Sequence, residues 1–318
     1  MAGTDYACAV RKNKLIYLID IDAATQTSQR LISSADQAAK FGNWTIRVID
    51  AQGDPAKWDA AFATAIQAHA AGIIDVAIEA NGAEAALAKV KKAGIPVVTT
   101  IASTEPENID NPAITHVVDE HNTQMGYVLG ADIVKNTGGH AAVGVLQYPG
   151  GVDSEQLNGT ERWLSQNGGG KIVTVANFPI TDVGTPALGQ FAVALLQAHP
   201  NINALWVPWD SPASDAIPAI KAAGLANRVK VYSFYSDSPN LNQIRSGTVE
   251  TADISVPLEW EAWAAVDDLN RVFNHQALPK NDGLPFRLLT ASNLPPAGQN
   301  WTGEFDYQAK YKKLWGVG

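Results

Sequence analysis

Hydrophobic and polar positions along this chain follow two alternating periods. Short apolar runs rich in β-branched residues, such as Leu15 to Ile21, have the composition of strands buried on both faces. Longer segments between them, such as Ser28 to Phe41, carry apolar or small residues at helical spacing. Strands that alternate with helices in this way predict parallel sheets with right-handed crossovers. The first series predicts strands at 15–21, 44–49, 73–78, 95–101 and 114–118, and helices at 28–41, 57–71 and 83–93.

The pattern then begins again, and part of it repeats in detail. Gln67-Ala68-His69 leads to Gly94 after 94 − 67 = 27 positions, and Gln197-Ala198-His199 leads to Gly224 after 224 − 197 = 27 positions. Alanine-rich helices look alike in any doubly wound protein, but the agreement of both order and spacing favours duplication. The second series predicts strands at 141–146, 171–177, 204–207, 229–234 and 249–254, and helices at 123–135, 154–166, 185–199, 214–223 and 241–245.

Two such series predict an α/β fold with two doubly wound parallel-sheet lobes. A helix rich in Trp and Ala, 258–273, follows the second series and is expected to return to the first lobe. The segment 286–290 then crosses back, which gives three crossings, near Val118, Ile254 and Pro285. The predicted N-terminal lobe is 13–118 plus 256–286, and the predicted C-terminal lobe is 119–255 plus 287–318.

Composition and charge narrow the class of protein. The 318 residues carry a net charge of −9 that is spread along the chain, and the basic residues form no stripe with interleaved aromatics. This pattern argues against a nucleic-acid partner. No stretch approaches the roughly 20 apolar residues that cross a bilayer. The segment Met1 to Val10 lacks the basic and apolar regions of a signal peptide.

The sequence contains no motif for catalysis or for a metal. Cys8 is the only cysteine, which excludes an internal disulfide and the cysteine-rich zinc sites, and we interpret it as a free thiol near a mobile terminus rather than a lipidated residue. No nucleophile elbow, zinc-protease motif or twelve-residue calcium loop is present. His69 and His199 occupy matching positions in the repeat, which indicates helix ends. We therefore expect no enzyme activity, no cofactor and no metal.

Polar and aromatic residues follow the predicted strands in both lobes. Ligands of open parallel sheets bind outside the carboxyl ends of the strands, so these residues are the candidate binding site. Carboxylates and amides suit pairs of sugar hydroxyls, and an aromatic ring suits the apolar face of a sugar. A structural interpretation stays open for each residue: Asp22 or Asp153 as a helix cap, Trp209 as core, Glu79 as a solvated loop residue. The candidates are Asp20, Asp22, Glu79, Asn81, Ser103, Asp119, His121, Gln147, Tyr148, Asp153, Trp209, Asp210, Tyr235, Asp237, Ser255 and Glu259.

Four segments, in this order along the chain, carry a family resemblance: Asp50 to Lys57, Gly94 to Thr99, Asn122 with Gly126, and Ala198-His199-Pro200. Over about residues 13–290 the chain resembles the type I periplasmic solute-binding proteins of ABC transporters, in the ribose and xylose branch. The resemblance implies a monomeric periplasmic or extracytoplasmic receptor. Such a receptor closes two lobes over one small solute and presents the closed form to a permease.

The pocket positions depart from those usual in the sugar-binding members of this family. The first loop has Ala24, Gln26 and Thr27 where an Asn and two Phe are usual. The further departures are His121-Asn122 for Asp-Asn, Asn158 for an Arg, Trp209-Asp210 for Asn-Asp, Tyr235 for an Asp and Ser255 for the hinge Gln. The resemblance thus adds Asn158 to the candidates.

We expect the solute to be a neutral carbohydrate, that is, a pentose, a hexose or a sugar alcohol. Two alternatives stay open. One is a small amine cation, which acidic and Trp side chains attract. The other is the effector-binding domain of a lactose-repressor-type regulator, which the acidic charge and the short segment before the first strand disfavour.

Overall fold

The structure, a computed structural model, describes residues 8–104 and 109–317, so residues 1–7 of the N-terminal segment lie outside the described residues. The chain forms two units. The first contains the described residues up to Glu120, then Pro257–Pro285 and the residues from Thr302 onward. The second contains His121–Val256 and Phe286–Trp301. The chain therefore passes from one unit to the other four times, where the sequence predicted three crossings.

The first unit is built on a five-stranded parallel sheet. Its elements in chain order are β1 (Leu15–Asp20), α1 (Gln26–Lys40), β2 (Thr45–Asp50), α2 (Pro55–Gln67), β3 (Gly72–Val76), a 3₁₀ turn (Ala80–Gly82), α3 (Glu84–Lys92), β4 (Val97–Thr100) and β5 (His116–Val117). The strands lie in the order β2-β1-β3-β4-β5. Every residue of β3 and β4 is buried, as the apolar runs predict for strands covered by helices on both faces.

The second unit repeats this winding. Its elements are α4 (Asn122–Asn136), β6 (Ala141–Gln147), α5 (Gly151–Asn167), β7 (Gly170–Asn177), a 3₁₀ turn (Ile180–Asp182), α6 (Pro186–Ala198), β8 (Ala204–Trp206), α7 (Asp210–Ala222), β9 (Lys230–Phe234), α8 (Ser238–Arg245), β10 (Glu250–Ser255) and β11 (Arg287–Thr290). The order is β7-β6-β8-β9-β10-β11, and β11 alone in this sheet pairs antiparallel. The two doubly wound sheets confirm the predicted α/β architecture.

Matching helices of the two units begin and end in the same way. Asp54 caps α2 by accepting a hydrogen bond from the Ala56 N–H at 2.9 Å, and Pro55 is the first helical residue. Thr185 and Pro186 form the corresponding start of α6. Gly94 and Gly224 each follow a helix with φ of +72°, in the left-handed region that favours glycine. The predicted repeat is therefore also a repeat of local backbone geometry.

The C-terminal tail returns to the first unit. Two helices, α9 (Leu258–Phe273) and α10 (Tyr307–Trp315), pack together there through aromatic side chains. The ring of Trp315 stacks on that of Trp263 at 5.3 Å, and its Nε1 donates to Asp267 Oδ1 at 2.6 Å. This burial is the physical reason that residues 302–318 differ from the sequence-based assignment to the second lobe.

The first described residue is tied to the same tail. The Cys8 N–H donates to the Leu314 carbonyl oxygen at 2.8 Å, and the Cys8 side chain is buried. Burial raises the pKa of the Cys8 thiol. The thiol is free, as expected, but it lies in packed structure rather than near a mobile end. Among the described residues, no helix is long and apolar enough to cross a membrane.

Candidate functional site

Each sheet has one position where its strand order reverses. In the first unit the reversal lies between β1 and β3, and in the second it lies between β6 and β8. The loops at the carboxyl ends of such strand pairs leave a crevice, which is where open α/β sheets bind ligands. Most candidates predicted from the sequence lie on these loops or on the loops of the adjacent strands.

In the first unit, Asp20 ends β1 and is fully buried. Its Oδ1 accepts from the Asp22 N–H and from Ser28 Oγ, each at 2.9 Å. Burial raises the pKa of Asp20 to about 7, and the nearby carboxylates of Asp22 and Asp50 add to the rise. Asp20 thus ties the loop after β1 to the start of α1, and it is a proton-holding group near neutral pH.

Two further aspartates organise the same edge. Asp50 Oδ1 accepts from the Ala23 N–H at 3.1 Å and from the Gln52 N–H at 2.9 Å. Asp22 is half-buried, and burial followed by the charge of Asp50 raises its pKa. These carboxylates satisfy backbone N–H groups of the loops, so the structural interpretation of Asp22 has direct support.

The other candidates of the first unit differ in exposure. Glu79 is half-buried at the start of the 3₁₀ turn, and Asn81 is exposed within that turn. Ser103 is fully buried after β4, and Asp119 is half-buried after β5. Glu79 and Asp119 therefore retain accessible surface on the loops that follow β3 and β5, as a binding role requires.

The strand ends also carry strained backbone that sequence reasoning missed. Ala77 follows β3 with φ of 61°, Ile101 follows β4 with φ of 48°, and Tyr235 follows β9 with φ of 90°. Non-glycine residues rarely adopt this region, and such strain tends to occur at functional sites. The Ile101 N–H donates to Glu261 Oε1 at 2.9 Å, which holds that residue in place.

In the second unit, aromatic side chains meet at the reversal. Tyr148 follows β6, and Trp209 precedes α7. Their rings meet edge to face with centroids 6.1 Å apart and an interplanar angle of 89°. Phe178, which the sequence analysis did not select, packs on Trp209 at 5.6 Å. Tyr148 and Trp209 are both half-buried, so the cluster keeps aromatic surface at the sheet edge.

Asp210, the neighbour of Trp209, belongs instead to a buried acidic cluster. Ser233 Oγ lies 2.7 Å from Asp210 Oδ1 and 2.7 Å from Glu250 Oε1. One hydroxyl carries one hydrogen, so only one of these contacts has the serine as donor, and the other needs a carboxyl proton. Asp253 completes the cluster, and all three acids are buried.

Burial governs the charge of this cluster. It raises the pKa of Glu250 to about 7 and raises the pKa values of Asp210 and Asp253 well above their usual range, with repulsion between the acids adding to the rise for Asp210 and Asp253. Three buried acids therefore share protons at the base of α7. Glu250 and Asp253 escaped prediction because they lie within a strand rather than after one.

A buried amide connects three elements of the second unit. Gln156 Nε2 in α5 donates to Asn122 Oδ1 at 3.2 Å and to the Tyr235 hydroxyl at 3.3 Å. Gln156 Oε1 is buried and accepts no hydrogen bond from the described residues. Asn158 is exposed two positions further along α5, about 200° around the helix. The structure therefore does not bring Asn158 together with Tyr235, whereas it does bring Gln156 there.

The remaining candidates have structural partners or occupy loop positions. Asp153 is buried in the first turn of α5, where the helix dipole favours a carboxylate. His121 precedes α4 with φ of 65°. Ser255 Oγ hydrogen-bonds Ser236 Oγ, and Glu259 forms a bidentate ion pair with Arg30 in the first unit. The remaining two, Gln147 at the end of β6 and Asp237 beside Asp210, also lie at strand ends.

Comparison with known protein families agrees with the α/β architecture of the two units. The family model described as "Periplasmic binding protein domain" matches residues 21–277. The chain belongs to this family. The match begins directly after β1 and ends just past α9, so it covers β2 to β5 of the first unit and β6 to β10 of the second. No curated protein sequence matches the chain.

Three solved structures of similar fold are each less than a quarter identical in sequence to this chain. An ABC sugar transporter subunit from Rhodobacter sphaeroides 2.4.1 is 19% identical with a TM-score of 0.78, covering 88% of this chain and 99% of its own. A glucose-galactose binding protein from Geobacillus stearothermophilus is 18% identical with a TM-score of 0.78, covering 90% and 100%. An ABC transporter solute-binding protein from Agrobacterium vitis with bound allitol is 19% identical with a TM-score of 0.78, covering 88% and 96%.

Proposed function

We propose that this protein is the solute-binding component of an ABC importer and that it takes a neutral sugar or sugar alcohol. The aromatic cluster of Tyr148, Phe178 and Trp209 carries the proposal. The half-buried rings of Tyr148 and Trp209 lie at the reversal of the second sheet, where ligands of this fold class bind, and they offer the apolar surface that a sugar ring or a reduced sugar covers, while the buried Phe178 ring packs behind Trp209. Similar structures are described as sugar-binding or as holding a polyol.

The electrostatics favour an uncharged solute over an amine cation. Two buried acids beside the reversals, Asp20 and Asp210, have raised pKa values because they are buried. A carboxyl group that keeps its proton attracts a cation weakly and donates as well as accepts hydrogen bonds. The amine alternative therefore becomes an outcome of the binding test rather than a second proposal.

The test is a calorimetric panel of pentoses, hexoses, sugar alcohols and choline, with protein that has been unfolded and refolded to remove any copurified solute. We expect heat of binding for at least one neutral compound and none for choline. Binding of choline alone, or of none of the compounds, contradicts the proposal.

A variant then tests the role of the aromatic cluster. Trp209→Ala is expected to weaken binding of the solute found in the panel by about 30-fold, or about 2 kcal/mol, because it removes the central ring of the cluster. Phe305→Ala removes an exposed aromatic ring of the first unit and serves as the control. Unchanged affinity in Trp209→Ala would remove the main support for the proposal.

The same proposal includes a permease as the partner, a location outside the cytoplasm and the absence of any reaction on the solute. We expect a monomer that functions outside the cytoplasm, delivers its solute to a permease and returns it unaltered. Closure about the crossings, which the resemblance implies, stays a prediction. A fall in the radius of gyration on addition of solute, measured by small-angle scattering, would support closure, and an unchanged scattering profile would contradict it.

A further inference from the structure

Three side chains of the first unit, none of them among the candidate binding residues, lie close together. His116 lies in β5, Asp268 lies in the third turn of α9, and Asp282 lies in the segment that follows α9. His116 Nε2 is 3.0 Å from Asp282 Oδ2 and 3.7 Å from Asp268 Oδ2. One ligand atom from each residue lies within 4.8 Å of the others. The Asp282 side chain is only 4% exposed, the Asp268 side chain is only 1% exposed, and the His116 side chain is 14% exposed.

Asp268 gives the second observation. Both of its carboxylate oxygens are buried, and neither has a hydrogen-bond partner among the described residues. Buried carboxylates normally accept hydrogen bonds, because an unsatisfied one is costly to bury. The nearest guanidinium, on Arg271, is held instead by Asp267, with an Nε to Oδ2 distance of 2.7 Å. A positive charge is therefore missing at the point that His116, Asp268 and Asp282 surround.

The imidazole of His116 does not satisfy Asp268. His116 Nε2 carries at most one hydrogen, and its nearer partner is Asp282 at 3.0 Å. Asp268, at 3.7 Å, then stays beyond hydrogen-bond distance.

We propose that His116, Asp268 and Asp282 bind a divalent transition-metal ion, with zinc as the expected one. Zinc accepts imidazole nitrogen and carboxylate oxygen at about 2.0 to 2.2 Å, so tetrahedral ligand atoms lie about 3.3 to 3.6 Å apart. The observed distances from His116 Nε2, 3.0 and 3.7 Å, bracket that separation, and the two aspartate oxygens lie within 4.8 Å of each other. Water takes the fourth position. The ion joins β5, α9 and the following segment, so its role is to stabilise the first unit.

The other acidic cluster fits an ion less well. Asp210, Glu250 and Asp253 also lie within 4.8 Å of one another. Ser233, Asn240 and the Asp237 N–H already occupy oxygens of Asp210 and Glu250, and no nitrogen ligand is present among the described residues. This cluster also has two carboxylate oxygens without partners in the described part of the chain, Glu250 Oε2 and Asp253 Oδ2, but it offers oxygen ligands alone, whereas the His116 cluster combines unoccupied carboxylate oxygens with an imidazole.

The first test uses the full untagged chain after removal of metal with a chelator. Competition against a chromophoric zinc indicator is expected to give one zinc per chain. Cobalt(II) in place of zinc is expected to give the visible absorption of a tetrahedral site, and zinc is expected to raise the melting temperature. Absence of zinc binding in the competition assay overturns the proposal and leaves a histidine–carboxylate pair.

Variants test the ligands. Asp268→Asn, Asp282→Asn and His116→Gln are each expected to weaken zinc binding at least tenfold, the loss that removal of even a supporting residue brings. His140→Gln and Asp59→Asn change exposed residues and are expected to bind zinc as the parent does. Zinc affinity and the zinc-dependent melting shift retained in His116→Gln and Asp282→Asn would overturn the assignment, even if Asp268→Asn failed to fold. Solute plays no part in these measurements, so their outcome is independent of the proposed function.

Discussion

The two units wind their strands in the same order, yet their strand ends differ in chemistry. At the reversal of the first sheet, Asp20 and Asp22 bind backbone N–H groups of the loops. At the reversal of the second, Tyr148 and Trp209 form an aromatic cluster. Sheet and helix positions are constrained by the core, whereas loops are free to change. The two units therefore share one scaffold, while the side chains at their two sheet edges differ.

The units also differ in how their first helices pack. In the first unit, α1 contacts α9 through the ion pair of Arg30 with Glu259. In the second, α5 contacts α4 so closely that a Cβ on Gly126 would lie 1.7 Å from the Gln156 carbonyl oxygen. A Cβ on Gly159 would lie 2.0 Å from the Thr123 carbonyl oxygen. An ion pair therefore joins α1 and α9, whereas the close contact of α4 and α5 requires glycine at two positions.

The largest expected effect is at the glycine contact. Gly126→Ala should lower the free energy of unfolding by about 3 kcal/mol or more, because the methyl group meets backbone that cannot rotate away. Chemical denaturation measures the change. Gly150→Ala is the control, since a Cβ there meets only the Tyr148 ring at 3.6 Å. A loss below about 1 kcal/mol in Gly126→Ala would mean that the helices separate easily.

The next effect is a dependence of stability on pH. Because folding raises the pKa of Glu250 to about 7 from 4.5, the folded state keeps a proton that the unfolded state loses between these values. Stability is therefore full below about pH 4.5 and falls by about 1.4 kcal/mol per pH unit for each proton held, until about pH 7. Glu250→Gln should flatten this fall more than Asp20→Asn does, because Glu250 lies beside Asp210 and Asp253, two buried acids whose pKa values are also raised.

Denaturation midpoints at several pH values provide the measurement. The groups around Glu250 that enter this prediction are the hydrogen-bonding Ser233 and Asn240, the acids Asp210, Asp237 and Asp253, and the cation Lys221. A stability that rises between pH 4.5 and 7 would show that other carboxylates dominate. Equal flattening by Glu250→Gln and Asp20→Asn would remove the contrast between the two units.

Solute affinity offers a sharper comparison of the two edges. Tyr148→Ala should weaken binding about tenfold, or about 1.4 kcal/mol, because it removes the ring that meets Trp209 edge to face. Asp22→Asn should change affinity by less than about threefold, since an amide oxygen still accepts from the Ala24 N–H. Calorimetry decides the order. A larger loss in Asp22→Asn would assign the dominant role to the first unit.

The remaining contrast concerns the ion pair of the first unit. Arg30→Met should lower stability by about 1.5 kcal/mol, because the Arg30 and Glu259 side chains are only 6% and 19% exposed. Lys40→Met is the matched control. Lys40 pairs with Asp36 in solvent, so its loss should be below about 0.5 kcal/mol. Equal losses in the two variants would contradict the role given to burial.

Local patterns were enough to predict the alternating strands and helices. They also placed Tyr148 and Trp209 at neighbouring strand ends, because parallel strands end at one edge of their sheet. These inferences depend on periodicity and short-range chemistry, which a sequence records directly.

Contacts between distant segments escaped prediction. The tail was assigned to the second lobe because no local pattern indicates that Trp315 stacks on Trp263. Asp210 was selected as a ligand residue, but it forms a buried cluster with two acids, Glu250 and Asp253. These lie 40 and 43 positions away in the sequence (250 − 210 = 40, 253 − 210 = 43). His116 and Asp282 are separated by 166 positions. Only the folded sheet brings such residues together.

The backbone hydrogen bond between Cys8 and Leu314 determines what fluorescent labels at the two chain ends can measure. It joins the first and the last described parts of the chain within one unit. A fluorescent donor and acceptor attached near residues 10 and 312 would therefore hold a fixed separation for as long as that unit is folded. Such a pair would report thermal unfolding of the first unit and would give no signal on solute uptake.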